Sequence, residues 1–273
     1  MRIAYDGDTI EGWQRQPGKR TVQGLIEDAL SSLDLPMGVH GSSRTDAGVH
    51  AVAQVAHFDH PGEPGDLDEL RARLHRALPM DVRIASLTRA PPRFHARWSS
   101  RGKVYGYLLS TPADLGLAAE DPLLSRRSWI LPDPRAFPES ANQSAMLDEE
   151  AMARALRSLL GRRDFAGLAT TRDPRKGRAK TTRKLGAARI VAADYPGPAG
   201  GRLVYLTVAG DAFLKHMVRN LTGLLAQVGY GEVDASEVSE LVAERRRHRG
   251  PRAPGRGLTL LRVRYPRPLE PNW

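Results

Sequence analysis

The feature that most constrains this fold is that predicted strands follow one another in the chain without a helix between them. Two such pairs of extended segments lie at residues 82–87 with 104–109 and at residues 182–192 with 202–208. Consecutive strands readily pair antiparallel, whereas parallel pairing needs a long crossover that is usually helical. The sequence therefore predicts an α+β fold with a largely antiparallel sheet rather than a doubly wound fold.

Apolar residues at helical spacing predict the helices of this fold, the first of which Thr21 is expected to cap. The predicted helices span residues 22–33, 67–78, 152–160, 213–228 and 236–247, and further strands lie at residues 51–58 and 258–265. A connection containing Pro, Asp and Ser runs over residues 111–147. We therefore predict two lobes, residues 1–110 and residues 111–273, with this connection at the start of the second.

The charge of the chain favours a polyanionic partner. Its formal net charge is +10, from 41 Lys and Arg against 31 Asp and Glu. Cations placed on phosphates release condensed counterions, so nucleic acid is the favoured partner, and a merely solvated basic surface is the alternative. Many of the cations crowd two stretches, which contain Arg162, Arg163, Arg172, Arg175, Lys176, Arg178, Lys180, Arg183 and Lys184, and Arg245, Arg246, Arg247, Arg249, Arg252 and Arg256. This clustering favours a phosphate-binding face.

Several classes of protein are excluded by what the sequence lacks. It contains no cysteine, which excludes a disulfide framework, a thiolate zinc site and a cysteine nucleophile. No apolar run approaches about 18 residues, and residues 1–16 lack the apolar core of a signal peptide, so a cytoplasmic location is expected. Neither GxxxxGKS/T nor GxGxxG occurs, and His50, His57 and His60 with Asp59 match no metal-ligand spacing. We therefore expect no nucleotide cofactor and no metal.

The segment GSSRTDAGVHA at residues 41–51 places an acid, a base, hydroxyls and glycines between apolar segments. A turn without a chemical role is the ordinary interpretation of an isolated RTDAG, since Gly48 can adopt positive φ and Asp46 can bond to nearby backbone. Other segments that mix polar and charged residues with aromatic or apolar ones change that interpretation. They are YDG at 5–7 with GWQRQ at 12–16, FHARW at 94–98, and FLKHMVRN at 213–220, where polar groups on an apolar helix need partners.

These segments, together with KVYGY at 103–107, occur in the order and approximate spacing of the tRNA pseudouridine synthase A family, which the chain resembles from about residue 3 to residue 265. The resemblance implies a pseudouridine synthase fold of two α+β lobes with a basic active-site cleft between them, and a homodimer. It also implies a cofactor-independent isomerase that converts uridine to pseudouridine at positions 38, 39 and 40 of the tRNA anticodon stem-loop.

The resemblance assigns roles to single residues. Asp46 matches the family's essential aspartate, Arg219 the arginine that pairs with it and keeps it ionised, and Arg44 an arginine that helps to open the RNA stack. Tyr105 matches the tyrosine that stacks on the target base, and an ordinary strand aromatic is the alternative. Substrate-binding roles are implied for residues of the matched segments: Arg15, Gln16, Lys103, His216 and Asn220.

Some positions depart from the family pattern. Only Met1 and Arg2 precede Ile3, where relatives carry more residues of the first strand, which leaves open a natural start upstream. Ile10 and Gly106 stand where aromatic and basic residues are common, which bears on substrate preference rather than on chemistry. Two alternatives stay open: a noncatalytic tRNA-binding or tRNA-folding protein, and a pseudouridine synthase that acts at another RNA position.

Overall fold

The computed structural model describes residues 1–36, 38–133, 135–138, 147–170, 181–245, 248 and 250–267. The strands are β1 (Arg2–Tyr5), β2 (His40–Gly41), β3 (His50–His57), β4 (Val82–Ser86), β5 (Gly102–Thr111), β6 (Trp129–Ile130), β7 (Gly161–Asp164), β8 (Thr182–Asp194), β9 (Arg202–Gly210) and β10 (Leu258–Arg264). The helices are α1 (Val22–Ser31), α2 (Leu67–Ala77), α3 (Leu115–Glu120), α4 (Pro122–Arg127), α5 (Glu149–Ser158), α6 (Met217–Gly229) and α7 (Val238–Ala243). The predicted α+β class is confirmed.

The chain forms two compact units. The first unit contains residues 1–104 together with the chain from Thr259 onward, and the second contains residues 105–258. The sequence-based division assigned the C-terminal strand to the second lobe, whereas the structure packs it in the first unit. Among the described helices, none is both long and apolar enough to cross a bilayer.

In the first unit the strand order is β4-β1-β3-β10. Strand β1 lies antiparallel to both β3 and β4, while β10 runs parallel to β3, with Thr259 opposite His50 and Leu260 opposite Ala51. Leu260 is fully buried in this arrangement. Burial of such a side chain contributes about 1.5–3 kcal/mol, which is one part of what offsets the entropy lost when the end of the chain is ordered in this sheet.

Helix α1 shows how the local sequence builds the first unit. Thr21 is extended and accepts a hydrogen bond from the N–H of Gly24 through its hydroxyl, as a capping residue does. Val22, Ile26 and Leu30 recur every four residues along one face and are fully buried. The predicted helix is confirmed and ends at Ser31.

In the second unit the strand order is β5-β9-β8-β7. Strands β8 and β9 form a long antiparallel hairpin whose register runs from Leu185 opposite Gly210 to Asp194 opposite Arg202. Helices α5 and α6 pack on each other, and a side chain at Gly229 would overlap Met152 because the two helices approach closely there. This packing buries the apolar face of each helix.

Two predicted helices differ from the structure by more than two residues at one end, next to a residue with a positive φ. The sequence predicted a helix over residues 213–228, but α6 begins at Met217 because His216 has a φ of 62°, in the left-handed region. Of the predicted helix over 236–247, the described part is helical over α7, and Arg245 has a φ of 55° just beyond it, while residues 246 and 247 lie outside the described residues. A right-handed helix cannot continue through such a residue.

Candidate active site

Asp46 lies on a tight turn between β2 and β3. The backbone N–H of Val49 donates to the carbonyl of Asp46 at 3.2 Å, and Gly48 takes a positive φ of 76°. Asp46 is partly exposed, whereas Val49 and His50 beyond the turn are buried. The segment therefore forms the turn that its composition predicts, and it carries a carboxylate that solvent can reach.

The N-terminal segment holds this turn from several directions. The backbone N–H of Trp13 donates to the carbonyl of Thr45 at 3.0 Å, and the buried hydroxyls of Tyr5 and Thr45 are 2.8 Å apart. The N–H of Gly48 donates to the carbonyl of Ile10 at 3.2 Å. Residues on both sides of Asp46 are thus fixed by hydrogen bonds to residues 5–13, which limits the motion of the carboxylate.

Two glycines allow the close approach of these segments. A Cβ atom on Gly12 would lie 2.7 Å from the carbonyl oxygen of Thr45, and one on Gly7 would lie 2.2 Å from that of Val49. Gly12 also has a φ of 91°. Both obstacles are backbone atoms, which cannot rotate away as a side chain can. Sequence reasoning noted both segments but not this positioning role, for which the paired glycines were the available signal.

His50, at the start of β3, is linked to the segment that contains Asp6 and Gly7 and serves a structural role. The backbone N–H of Gly7 donates to its Nδ1 at 2.9 Å, while an Asp6 carboxylate oxygen lies 3.1 Å from the same nitrogen. One ring nitrogen cannot accept from Gly7 and donate to Asp6 at once. We assign Nδ1 as an acceptor, since the Gly7 N–H is directed at it by the backbone and the Asp6 oxygen already accepts from Asp8.

His57 lies at the end of β3 and packs against the rings of His40 and His95, with centroids 5.1 Å and 4.6 Å away. Its Nδ1 accepts a hydrogen bond from the N–H of Ala96 at 3.2 Å. Burial, helped by the charges that His95 and His40 can carry, lowers the pKa of His57 to about 4. A neutral His57 ring can accept this backbone hydrogen bond, so His57 helps to hold the segment that contains Ala96.

The depressed pKa of His57 predicts acid destabilisation. Because the unfolded chain binds this proton with an ordinary pKa near 6.5, stability falls as the pH drops from about 6.5 to about 4. His57→Asn keeps an acceptor but does not titrate, so its urea midpoint should fall less between pH 7 and pH 4.5. We expect the free energy of unfolding of His57→Asn to fall by about 1 kcal/mol less than that of wild type, after screening of this partly exposed ring. His60→Asn is the control, and equal acid sensitivity of His57→Asn and wild type would contradict the prediction.

Arg44 and Arg15 are placed differently. Arg44 is exposed two residues before Asp46. Arg15 is also exposed, but its guanidinium contacts the carboxylates of Glu27 at 3.1 Å and Asp28 at 3.0 Å, and these hydrogen bonds raise its pKa. Gln16 follows it on the surface. The positive charge of Arg15 is therefore compensated locally, so any contact of Arg15 with RNA has to compete with two carboxylates.

Lys103 lies on β5 and is buried, with its Nζ atom 3.4 Å from the hydroxyl of Ser100. Burial, with a contribution from the charge of Arg97, lowers the pKa of Lys103 to about 8. The ammonium form still predominates at neutral pH. An anion brought to this amine would gain a poorly hydrated positive charge as its partner, which fits the predicted substrate contact.

Tyr105 follows on the same strand and is buried in the second unit. Its ring meets that of Phe213 edge to face, with centroids 5.1 Å apart and an interplanar angle of 85°. Such a contact holds the ring in one orientation. Burial also agrees with the alternative of an ordinary strand aromatic, so stacking on a base stays a prediction.

His216 precedes α6 and joins two other segments of the second unit. Its Nδ1 lies 2.8 Å from the hydroxyl of Thr170 and 2.8 Å from an amino group of Arg252. Because a guanidinium can only donate, this Nδ1 is an acceptor and the ring carries its proton on Nε2. His216 therefore fixes the loop that contains Arg252, in addition to any contact with substrate.

The first turn of α6 carries Arg219 and Asn220. The Nε atom of Arg219 donates to the carbonyl of Ala253 at 2.7 Å, and the amide of Asn220 donates to the carbonyl of Leu168 at 2.8 Å. These bonds set the direction of both side chains. Arg219 and Asp46 belong to different units, and their pairing stays a prediction.

The two basic stretches are only partly described. Residues 171–180 and Arg246, Arg247 and Arg249 lie outside the described residues. Of the described cations, Arg245 pairs with Asp164 at 2.8 Å and Arg256 donates to the carbonyl of Ser128 at 3.1 Å. Some of these cations therefore have structural partners, and the extent of a phosphate-binding face stays a prediction.

A family model described as tRNA pseudouridine synthase matches residues 1–99 and 155–266 of this chain. The chain belongs to the tRNA pseudouridine synthase family. The matched ranges include the Asp46 turn, the segments that hold it, and α6 with Arg219. Lys103 and Tyr105 fall between the two ranges.

Relatives within this family match over nearly their whole length. The chain is 35% identical to tRNA pseudouridine synthase A of Nitratidesulfovibrio vulgaris, over 97% of this chain and 98% of the relative. It is 38% identical to the enzyme of that name in Methylococcus capsulatus, over 97% of this chain and 90% of the relative. It is 37% identical to the one in Chloroflexus aurantiacus, over 97% of this chain and 88% of the relative. The similarity thus extends through both units and is not limited to one lobe.

Proposed function

We propose that this tRNA pseudouridine synthase family member converts uridine to pseudouridine at positions 38, 39 and 40 of the tRNA anticodon stem-loop, with Asp46 as its catalytic carboxylate. The observation that carries the proposal is the Asp46 turn, which hydrogen bonds to residues 5–13 hold in place within a matched family segment. The proposed partner is tRNA and the proposed compartment is the cytoplasm.

The reaction explains why a fixed carboxylate is needed. The bond between N1 of uracil and C1′ of the ribose breaks, the base turns, and a bond forms between C5 and C1′. The proton on C5 leaves to solvent, and N1 gains a proton. A carboxylate serves this chemistry either as a nucleophile or as a proton acceptor, and in both roles it has to be ionised and correctly placed. Arg219 is the proposed partner that keeps it ionised.

The target base has to leave its stack before this chemistry starts, at a cost of a few kcal/mol. We propose that Arg44, which is exposed two residues before Asp46, occupies the space that the base vacates. Lys103, His216, Asn220, Arg15 and Gln16 are the proposed contacts to the surrounding RNA.

The direct test is release of tritium from tRNA labelled at C5 of uridine. The wild-type protein should release label without ATP and in the presence of EDTA. Transcripts in which cytidine replaces uridine at positions 38, 39 and 40 should release none, and release from them would place the target at another position. Tight tRNA binding without release from any uridine-containing tRNA would favour the noncatalytic binding protein.

Tyr105 provides a prediction about base stacking. Tyr105→Phe keeps the ring and should bind substrate nearly as wild type, whereas Tyr105→Ala should weaken binding by about 1–3 kcal/mol because base stacking is lost. Affinity and single-turnover rate for the tRNA measure this. Phe213→Leu is a control for loss of the neighbouring ring, and wild-type affinity and rate in Tyr105→Ala would favour the ordinary strand aromatic.

The basic stretch at residues 171–180 provides a second prediction, from sequence alone. The logarithm of tRNA affinity should fall linearly with that of salt concentration, and changing Arg175, Lys176 and Arg178 to Ala should reduce the slope by up to about 2–3. Filter binding across salt concentrations measures it. Changing Arg73 and Arg76 on α2 to Ala is the control for loss of exposed charge, and an unchanged slope in the triple variant would remove this stretch from the footprint.

We also propose a homodimer in which a second copy covers the outer face of the β8–β9 hairpin. Val191 and Tyr205 lie directly opposite each other there, with 43% and 36% of their surfaces exposed. Tyr205→Glu would place a charge in that interface and favour the monomer. Light scattering of both proteins tests this, and a wild-type mass of 30.0 kDa, that of one chain, would contradict the proposal.

A further inference from the structure

Trp98 is exposed to an extent that is unusual for its type. Its exposed fraction is 71%, whereas Trp13 and Trp129 are 3% and 1% exposed. Tryptophan is largely buried in most proteins because its ring is the largest apolar side chain. An exposed tryptophan on an ordered segment therefore needs an explanation.

The turn that carries Trp98 is held by hydrogen bonds. The Nδ1 atom of His95 accepts from the N–H groups of both Arg97, at 3.1 Å, and Trp98, at 3.2 Å. The N–H of His95 donates to the hydroxyl of Ser99 at 3.0 Å, and the N–H of Ser99 donates to the carbonyl of His95 at 2.9 Å. The backbone of residues 95–99 is thus organised before any partner binds.

This turn is also anchored to the core of the first unit. The N–H of the buried Ala96 donates to His57, and its carbonyl accepts from the hydroxyl of Tyr265 at 2.7 Å. The ring of His95 lies under Trp98 at a centroid distance of 5.5 Å, with an interplanar angle of 33°. The exposed ring therefore rests on a rigid support.

One cation contacts the ring of Trp98, and others lie near it in the sequence. The guanidinium of Arg97 lies 5.0 Å from the centroid of the Trp98 ring, a cation–π arrangement. Residues 82–113 contain no Asp or Glu, and their cations are Arg83, Arg89, Arg93, Arg97, Arg101 and Lys103. Arg89 pairs with Glu63 at 2.6 Å, so its charge is compensated by an acid from outside this stretch. An aromatic plane beside several cations matches a ligand that has both a flat ring and a phosphate.

We propose that Trp98 and Arg97 form a stacking platform for an unpaired nucleobase of the RNA substrate, at a place distinct from the Asp46 turn. This inference rests on the proposed function, since it takes the partner to be RNA. Trp98 contributes a face for the base, and Arg97 contributes a positive charge near the adjoining phosphate. An apolar protein surface would match the exposed ring but would offer no negative charge to Arg97 beside it.

Fluorescence quenching tests the platform directly. The probes are single-stranded oligouridylate and a blunt RNA duplex with the same number of phosphates. All proteins carry Asp46→Asn to prevent turnover and Trp273→Phe to remove one fluorophore. The same titration with Trp98→Ala measures the contribution of the buried Trp13 and Trp129. The single strand should quench Trp98 emission, and the duplex, whose bases are paired, should quench it less.

Affinity measurements with matched variants give the second readout. Trp98→Ala should weaken binding of the single strand about 5- to 150-fold and change duplex binding little, while Trp98→Phe should retain most of the single-strand affinity. Arg101→Ala, which removes an exposed charge nearby, should weaken binding of the single strand and of the duplex equally. Circular dichroism is expected to show the wild-type fold for each variant, since an exposed ring contributes little to the core.

Three results with Trp98→Ala would overturn the platform. The first is wild-type affinity for the single strand, and the second is an equal loss of affinity for single strand and duplex. The third is a mass by light scattering that differs from that of the protein with Trp98, which would place Trp98 between two copies of the chain. Tritium release by proteins that retain Asp46 separates this proposal from the enzymatic one. If tritium is released but Trp98→Ala binds the single strand as wild type does, the platform alone is refuted. If Trp98 stacks on the single strand but no tritium is released, the enzymatic function alone is refuted.

Discussion

Asp46→Asn should abolish tritium release from C5-labelled tRNA, lowering the rate by at least about 10³-fold. The substitution keeps the size of the side chain but removes the charge and with it both proposed roles, attack on the nucleotide and acceptance of a proton. Binding should change little, because tRNA affinity depends mainly on phosphate contacts made elsewhere. Release under single-turnover conditions, together with filter binding, measures both quantities.

Two variants make this result specific. Asp59→Asn removes the same charge from an exposed residue just beyond β3 and should release tritium as the wild type does. Asp46→Glu keeps the charge but moves the carboxylate outward by one methylene, and should be slow because reaction depends on placement within about 1 Å. An active Asp46→Asn protein would refute the assignment of the carboxylate.

Gly12→Ala should have the second largest effect, through displacement of the Asp46 turn. The new Cβ would lie 2.7 Å from the carbonyl oxygen of Thr45, and the residue would have to keep a φ of 91°. We expect a loss of about 2–4 kcal/mol of stability, from backbone strain and overlap together, and a rate at least about 10²-fold lower. Urea unfolding and single-turnover tritium release measure the two effects.

Gly18→Ala is the matched control for Gly12→Ala. Gly18 also has a positive φ, of 67°, but no atom lies within 4 Å of a Cβ placed there. Gly18→Ala should lose only about 1 kcal/mol of stability, from backbone strain, and should release tritium at the wild-type rate. If both variants lose equal stability and both keep full activity, the close contact between Gly12 and Thr45 does not position Asp46.

Much of the secondary structure follows from the order of nearby residues. Apolar side chains four residues apart and the hydroxyl of Thr21 are sufficient to predict α1, because a helix is built from contacts within one or two turns. The turn at Asp46 is similarly local, since Gly48 supplies the positive φ that it needs. The ordered segments around Asp46 and Arg219 also sufficed to indicate the family.

Helix boundaries were less predictable. The apolar pattern extends through residues 213–228, yet α6 begins only at Met217, because His216 takes a left-handed conformation and bonds to Thr170 and Arg252. Those partners are 46 and 36 residues away. A local pattern cannot include such contacts.

The sequence by itself determined the α+β class, the helices with regular apolar spacing and the family, since each depends on residue types and short spacings. Only the tertiary structure decided that β10 lies parallel to β3 and that Tyr5, Gly12 and Trp13 hold the Asp46 turn. Those arrangements depend on which distant segments meet and in which register. The free energy that selects them comes from burial and hydrogen bonding across the whole unit, which no short stretch of sequence contains.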